Sequence, residues 1–143
     1  MKLSKTAAHA VLAVAHLAQA SDPVPVQARQ IASHLAIPTD SALKILQALA
    51  RHRLLRSRLG RNGGYWLELD PDELSLLRIV EAVDGPIQVQ LPLKDDPTST
   101  RRATARRLRR ACEQVTQRVR DEFGRITIAS LIETDPAQVA GPS

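Results

Sequence analysis

The chain has 143 residues, of which 43% are hydrophobic and 24% are charged, and its formal net charge is +5. This length accommodates one domain with an appended element, and the composition is typical of a globular protein. A lone cysteine, Cys112, excludes an intrachain disulfide, and no segment reaches the ~18 consecutive apolar residues of a membrane span. Polar residues interrupt the alanine-rich start, which argues against a signal peptide. We therefore predict a cytoplasmic protein with no membrane contact.

Three helices are predicted in the first third of the chain from apolar residues at helical spacing. They cover residues 4–20, 27–36 and 39–51. Ser4 is the predicted N-cap of the first helix, and Thr39 or Asp40 is the predicted N-cap of the third. The short break between the second and third helices is typical of a helix-turn-helix unit, whose second helix recognises DNA.

A β-hairpin is predicted directly after the third helix. Residues 56–59 and 65–69 resemble strands, and the segment between them contains Asn62 followed by Gly63, two residues that accept positive φ in a tight turn. Tyr65 and its neighbour Trp66 alternate across the second strand, so one ring is expected to pack inward and the other to face outward. A hairpin in this position is a wing.

A short helix, a connector and a long helix are predicted to follow the hairpin. Ser75 caps a helix over residues 76–83, and Gly85 with the proline after it ends that helix. Residues 86–96 form the connector. Asp96 is a good N-cap, and the proline that follows it suits the first position of a helix.

The long helix, which extends to about Gly124, carries a narrow apolar stripe on a charged surface. Its apolar residues are three or four positions apart, which is the spacing of a helix seam, so we predict a homodimer. The predicted dimer interface consists of Leu108, Cys112, Val115, Val119, Phe123 and Ile126. Cys112 is interpreted as a small apolar residue of this seam, and an interchain disulfide or a redox-sensing thiol is the alternative.

The predicted fold class is therefore mainly α with a small β-hairpin, a winged helix-turn-helix domain plus a long dimerisation helix. The domain organisation follows from the same elements. It comprises a DNA-binding domain (1–85), a connector (86–96), a dimerisation helix with an apolar C-terminal cap (97–133) and a disordered tail (134–143).

The predicted recognition helix and wing form one continuous basic surface. No acidic residue occurs from Ser41 to Leu67, whereas six basic residues occur there. Such a surface suits the phosphates of double-stranded DNA, which we predict as the partner. The predicted contact residues are Thr39, Asp40, Ser41, Lys44, Gln47 and Arg51 in the helix, with Arg58, Arg61 and Asn62 in the wing.

A second basic cluster lies near the start of the long helix. It consists of Arg101, Arg102, Arg106, Arg107, Arg109 and Arg110. We interpret it as a solvated face beside the seam. Extra phosphate contact and the docking of an acidic regulatory protein are the alternatives.

No catalytic or metal site is predicted. The histidines His9, His16, His34 and His52 lack a metal-ligand spacing on a shared helix face, and no nucleophile with a base can be assembled. The glycine-rich wing lacks the Lys-Ser/Thr pair of a nucleotide-binding loop. The prediction is therefore a protein that is not an enzyme and holds no cofactor. Competing functions are a regulator controlled by a docked protein and a winged-helix module that binds RNA, protein or any duplex.

Two motifs carry a resemblance to a known family. Residues 60–67 are Gly-Arg-Asn-Gly-Gly-Tyr-Trp-Leu, and residues 79–86 are Ile-Val-Glu-Ala-Val-Asp-Gly-Pro. With these motifs, roughly residues 1–133 resemble the bacterial Rrf2 family of winged-helix regulators. The resemblance implies a homodimer in which the long helix crosses its partner, and binding to a palindromic operator, usually in repression.

Many members of that family hold an iron–sulfur cluster through three connector cysteines and a fourth ligand from the first helix. Here residues 87–99 contain no cysteine, Ala8 stands where an acidic ligand is often found, and Cys112 lies too far along the chain. Because a cluster needs about four protein ligands, the sequence predicts a cluster-free member.

The chain also departs from the family pattern in its predicted DNA-contacting region. Arg61 stands where proline is common, and Leu59 stands where arginine is frequent. Ala36 replaces the usual turn glycine, and Leu43 replaces a frequent glutamate. The operator preference of relatives is therefore not transferred to this chain.

Overall fold

A computed structural model describes residues 2–20, 22–94 and 99–132. Its elements in chain order are α1 (Lys5–Ala18), α2 (Ala28–Leu35), α3 (Thr39–Arg51), β1 (Arg56–Arg58), β2 (Gly64–Trp66), α4 (Leu76–Asp84), α5 (Ser99–Arg125) and α6 (Ile128–Ile132). The predicted helical fold with one hairpin is confirmed. The predicted opening of the long helix at Asp96 and the tail over residues 134–143 lie outside the described residues.

The start of α1 is fixed by the predicted N-cap, Ser4. The backbone N–H of Ala7 donates to the Ser4 hydroxyl oxygen at 2.9 Å, which satisfies one of the free donors of the first turn. The same hydroxyl donates to a carboxylate oxygen of Asp84 at 2.6 Å. One side chain therefore caps α1 and ties it to the end of α4.

The predicted N-cap of α3 was wrong. Pro38 occupies the cap position in an extended conformation, and Thr39 is already the first helical residue. The carbonyl of Pro38 accepts the N–H of Ala42 at 3.1 Å, so the helix begins without a side-chain cap. The chain leaves α2 through a tight turn, and the fixed φ of proline then leads straight into the helix.

The helix-turn-helix turn contains an alanine in the left-handed region. Ala36 has φ 55, and the N–H of Ile37 donates to the carbonyl of Ala32 at 3.0 Å, which is a Schellman end for α2. The same arrangement ends α3, where Arg53 has φ 62. Residues with a Cβ are strained in this conformation, which favours glycine.

Replacing Ala36 with glycine is expected to stabilise the protein. The left-handed conformation costs an L-residue ~1–2 kcal/mol, and the greater freedom of glycine in the unfolded chain offsets part of this gain, so a net increase of about 0.5–1 kcal/mol in unfolding free energy is expected. Urea denaturation measures the change. Ala15→Gly in the middle of α1 is the control and should lower stability by about 1 kcal/mol. Equal losses in both variants would contradict the strain at Ala36.

The hairpin is present, but its turn differs from the predicted one. The strands are antiparallel, with Arg56 opposite Trp66 and Arg58 opposite Gly64. Positive φ occurs at Gly60 (103°) and Gly64 (144°) and not at the Asn-Gly pair. The N–H of Gly63 donates to the carbonyl of Gly60 at 3.1 Å. The strands are also shorter than predicted, since β1 ends at Arg58 and β2 begins at Gly64 and ends at Trp66.

The second strand of the wing is also bonded on its other edge. Val26 and Tyr65 exchange two backbone hydrogen bonds, each of 2.9 Å. A Cβ on Gly64 would lie 2.6 Å from the Val26 carbonyl oxygen, so only glycine fits this approach. The segment before α2 therefore holds the wing against the helical core.

One apolar core joins the two ends of the described chain. The N–H of Ile128 donates to the carbonyl of Leu74 at 2.9 Å, and the N–H of Leu76 donates to the carbonyl of Ile126 at 2.8 Å. Ile128 is fully buried within the same cluster as residues from α1, α2, α3 and α4. The predicted apolar cap therefore packs on the winged-helix unit of its own chain.

The connector after α4 runs alongside α5. The N–H of Ile87 donates to a carboxylate oxygen of Glu81 at 2.8 Å, and Arg120 of α5 forms an ion pair with that oxygen. Further along, the N–H of Val89 donates to the hydroxyl of Thr116 at 2.9 Å. These bonds fix α4, the connector and α5 to one another. Within the described ranges, no helix combines the length and apolar character that crossing a membrane requires.

Candidate nucleic-acid interface

Helix α3 separates its residues into a buried face and an exposed face. Ala42, Ile45, Leu46 and Leu49 are buried. The six residues predicted to contact DNA are all exposed: Thr39, Asp40, Ser41, Lys44, Gln47 and Arg51. The apolar side of the helix therefore fixes the direction in which the polar side faces solvent.

The wing places its three predicted contact residues at or near its tip, and all three are exposed. The Arg58 guanidinium donates to the backbone carbonyl of Asn62 at 2.8 Å. The Gln27 side chain donates to the carbonyl of Arg61 at 3.1 Å, which links the tip to the start of α2. The loop is therefore braced from within and from α2, and Arg58 both shapes it and contributes charge.

The segment from Ser41 to Leu67, which we call the acid-free segment, has one basic residue that pairs with a carboxylate outside it. Arg56 donates to a carboxylate oxygen of Glu68 at 2.8 Å across the hairpin. Both side chains are more than half exposed, so the pair adds little stability. Its effect is to make Arg56 a weaker candidate for a phosphate than Lys44 or Arg51.

A groove beside α3 includes residues that the sequence analysis did not select. It has a volume of about 750 Å³ and lies between the start of α1, the helix-turn-helix turn, α3 and the end of α4. We call it the α1–α3 groove. Its lining residues are Lys5, Thr6, His9, Ala36, Ile37, Pro38, Ser41, Lys44, Ile45, Ala48, Arg51 and Val83. Among the polar residues of α1 here, Lys5 and Thr6 lie four and three positions before His9, a helical spacing that was available in the sequence.

The two aromatic residues of the wing lie in different surroundings. Tyr65 packs against the core, and burial raises the pKa of its hydroxyl. Trp66 is also half-buried and lines a cleft with Leu17 and Val24. Tyr65 therefore packs inward, as predicted for one of the two rings, whereas Trp66 borders a surface cleft.

The predicted seam of α5 is only partly covered in the single chain. Leu108 is 44% exposed and Val115 is 51% exposed. Cys112, Val119, Phe123 and Ile126 are half-buried. The contacts that would cover this stripe are not made by the described part of the same chain.

A family model for Rrf2, described as an iron-dependent transcriptional regulator, matches residues 3–134. The chain belongs to the Rrf2 family. Its relatives are transcriptional regulators and not enzymes.

Curated relatives match part of this Rrf2 chain. Rv1287 of Mycobacterium tuberculosis, a candidate HTH-type transcriptional regulator, is 36% identical over 87 residues, which are 61% of this chain and 54% of the relative. A second candidate of this type, slr0846 of Synechocystis, is 32% identical over 88 residues, which are 62% of this chain and 60% of the relative. The match therefore spans just over half of these relatives.

Solved structures of Rrf2 regulators share the fold. CymR of B. subtilis, the global cysteine regulator, has a TM-score of 0.67 at 24% identity, covering 94% of this chain and 99% of that one. IscR of T. potens has a TM-score of 0.66 at 22% identity, covering 100% of this chain and 93% of that one. These likenesses establish the winged-helix architecture.

The residues of this Rrf2 chain do not fit an iron–sulfur cluster. Its only cysteine, Cys112, is half-buried on α5, whereas a cluster needs about four protein ligands. The described ranges also contain no group of three or more histidine, cysteine or acidic side chains that could hold a metal ion. The donor set therefore disagrees with the iron dependence in the description of the family.

Two histidines form a contact that the sequence analysis did not predict. The rings of His16 on α1 and His34 on α2 stack with their centroids 3.8 Å apart. Burial, and then the repulsion of a charged His34, lower the pKa of His16 below its ordinary value of 6.5. Neutral rings therefore suit this contact better than charged ones.

This contact predicts a stability that falls in mild acid. Because the pKa of His16 is lower in the folded protein, the unfolded chain takes up the proton first as the pH falls below about 6.5. The melting temperature should therefore drop between pH 7.5 and pH 5.5 by more in the wild type than in His16→Gln. Thermal melts by circular dichroism measure both curves. If the melting temperatures of both proteins fall by the same amount, the stack of His16 on His34 is not the cause of the pH dependence.

Proposed function

We propose that this Rrf2 chain is a homodimeric transcriptional repressor that binds a palindromic DNA operator in the cytoplasm. The observation that carries the proposal is the surface of α3 and the wing. All six basic residues of its acid-free segment are exposed, as are all nine predicted contact residues. Apart from Asp40 at the start of α3, these residues are neutral or basic, so the surface attracts phosphates.

The exposed face of α3 suits the major groove. Gln47 can pair with adenine through two hydrogen bonds, and Lys44 can donate to guanine or to a phosphate. The hydroxyls of Thr39 and Ser41 suit phosphate oxygens near the start of the helix. The carboxylate of Asp40 can accept from the amino group of cytosine.

The wing suits the adjacent minor groove. Arg61 is exposed at the tip, and the guanidinium of Arg58 lies beside the Asn62 carbonyl. Narrow A·T tracts carry a strong negative potential that favours guanidinium groups. We therefore expect A·T preference at positions that flank the bases contacted by α3.

A palindromic operator has two equivalent half-sites, so its binding requires two copies of the chain. The stripe of α5 leaves its apolar side chains partly exposed, and a second copy of the same stripe would bury them. A two-fold dimer then presents two recognition helices to half-sites about one helical turn apart. In this proposal the dimer works without an iron–sulfur cluster, because the donor set does not fit one.

A selection of bound sequences from random duplexes tests the proposal. We expect a palindromic consensus, a discrete footprint on a natural site that contains it, and an affinity that falls steeply with salt. A reporter gene behind that site should be repressed by the wild-type chain. Equal affinity for all duplexes would contradict an operator, and activation of the reporter would contradict repression.

A further inference from the structure

We propose that the α1–α3 groove binds the sugar–phosphate backbone of the DNA, which makes α1 a third DNA-contacting element beside α3 and the wing. The inference rests on the proposed function and extends it to Lys5, Thr6 and His9. These residues lie far in sequence from the recognition helix, and the fold brings them to its edge.

The charge of the α1–α3 groove suits an anion. Lys5 from α1 faces the same space as Lys44 and Arg51 from α3. The hydroxyl of Thr6 and the ring N–H of His9 add further donors. No acidic residue lines the groove among the residues that the structure describes. A phosphate there would meet donors from two helices at once.

Apart from Ser41, the remaining lining of the groove is apolar. Ile37, Ala48 and Val83 are half-buried beneath the charged residues. A free phosphate gains nothing from contact with apolar side chains, whereas a DNA strand alternates phosphates with the C–H edges of deoxyribose, which can pack against them. The combination of cations with apolar side chains therefore fits a sugar–phosphate chain better than isolated anions.

The position of the groove agrees with the way a recognition helix enters DNA. The line of Ser41, Lys44, Ala48 and Arg51 forms the edge of α3 that faces the groove. A helix in the major groove has a DNA strand on each side, so the space beside this edge is where one backbone passes. The bond from Ser4 to Asp84 holds the start of α1 at the end of α4, so the groove needs little ordering when DNA binds.

The salt dependence of duplex binding tests this assignment. In full-length Lys5→Ala, affinity should fall by the same factor for the selected operator and for a scrambled duplex. The slope of log affinity against log salt should become shallower by about 0.9 for each subunit. Thr6→Val should weaken both duplexes with the slope unchanged. Arg78→Ala, which removes an exposed charge from α4 outside the groove, should match the wild type.

Other outcomes overturn this assignment or the proposed function on which it rests. A Lys5→Ala slope equal to that of Arg78→Ala removes α1 from the DNA interface. NMR can also show saturable binding of inorganic phosphate or thymidine monophosphate near Lys5. If it does, and the salt slope of duplex binding is the same in Lys5→Ala as in the wild type, the groove is a site for small anions. If the wild type binds no duplex at all, the proposed function fails. If the wild type binds duplexes and Lys5→Ala changes neither affinity nor salt slope, only the role of the α1–α3 groove is disproved.

Discussion

Replacing Lys44 with glutamate is expected to reduce operator affinity at least thirtyfold. Lys44 lies on the exposed face of α3 and also lines the α1–α3 groove, so its charge faces DNA in either of two ways. Loss of one specific contact costs about 1–3 kcal/mol, and a dimer loses two copies, which gives about 2–6 kcal/mol. Charge reversal adds repulsion of nearby phosphates. Fluorescence anisotropy with the selected duplex measures the loss.

The control for Lys44→Glu is Arg78→Glu on α4. It makes the same change of charge at another exposed position, so it reports the effect of net charge alone. Both side chains are exposed, so both variants should keep the melting temperature of the wild type within a few degrees. If both weaken binding equally, net charge and not α3 accounts for duplex affinity.

Replacing Val115 with glutamate is expected to convert the dimer to monomers and to abolish operator binding. Val115 is 51% exposed in the single chain and lies at the middle of the predicted seam. A seam would bury this side chain in both copies, and an unpaired buried charge costs about 3–5 kcal/mol. Analytical ultracentrifugation should show the monomer mass, and anisotropy should show weak binding without sequence preference.

Gln114→Glu provides the matched control for the seam. It adds the same charge at the neighbouring exposed position, which lies off the apolar stripe. This variant should remain dimeric and bind the operator like the wild type. A dimer that persists in Val115→Glu would show that the stripe is not the interface, whatever its effect on DNA.

The helices were predictable because their signals are local. Apolar spacing located α1 to α4, and Ser4 and Ser75 cap their helices as predicted, with backbone donors at 2.9 and 3.2 Å. Gly85 ends α4 at φ 79, in the conformation that glycine favours. Such features depend on a few neighbouring residues, so one sequence suffices to find them.

The features that were missed depend on distant segments. The wing takes its turn from Gly60 and Gly64, and Gly64 is required because Val26 approaches it from before α2. The stack of His16 on His34 and the position of Lys5 beside α3 also need the packed helices. No spacing within one segment reports contacts of this kind. The exposed residues of α3 were found because one helix determines its own faces.

The return of Ile128 to the core has a consequence for the newly made protein. This residue is fully buried among side chains of the first four helices, and the backbone around it pairs with residues 74 and 76. The chain must therefore be synthesised through α6 before the winged-helix unit can close its apolar core. By then α5 has also been synthesised, so a nascent chain that ends before α6 lacks a complete winged-helix core.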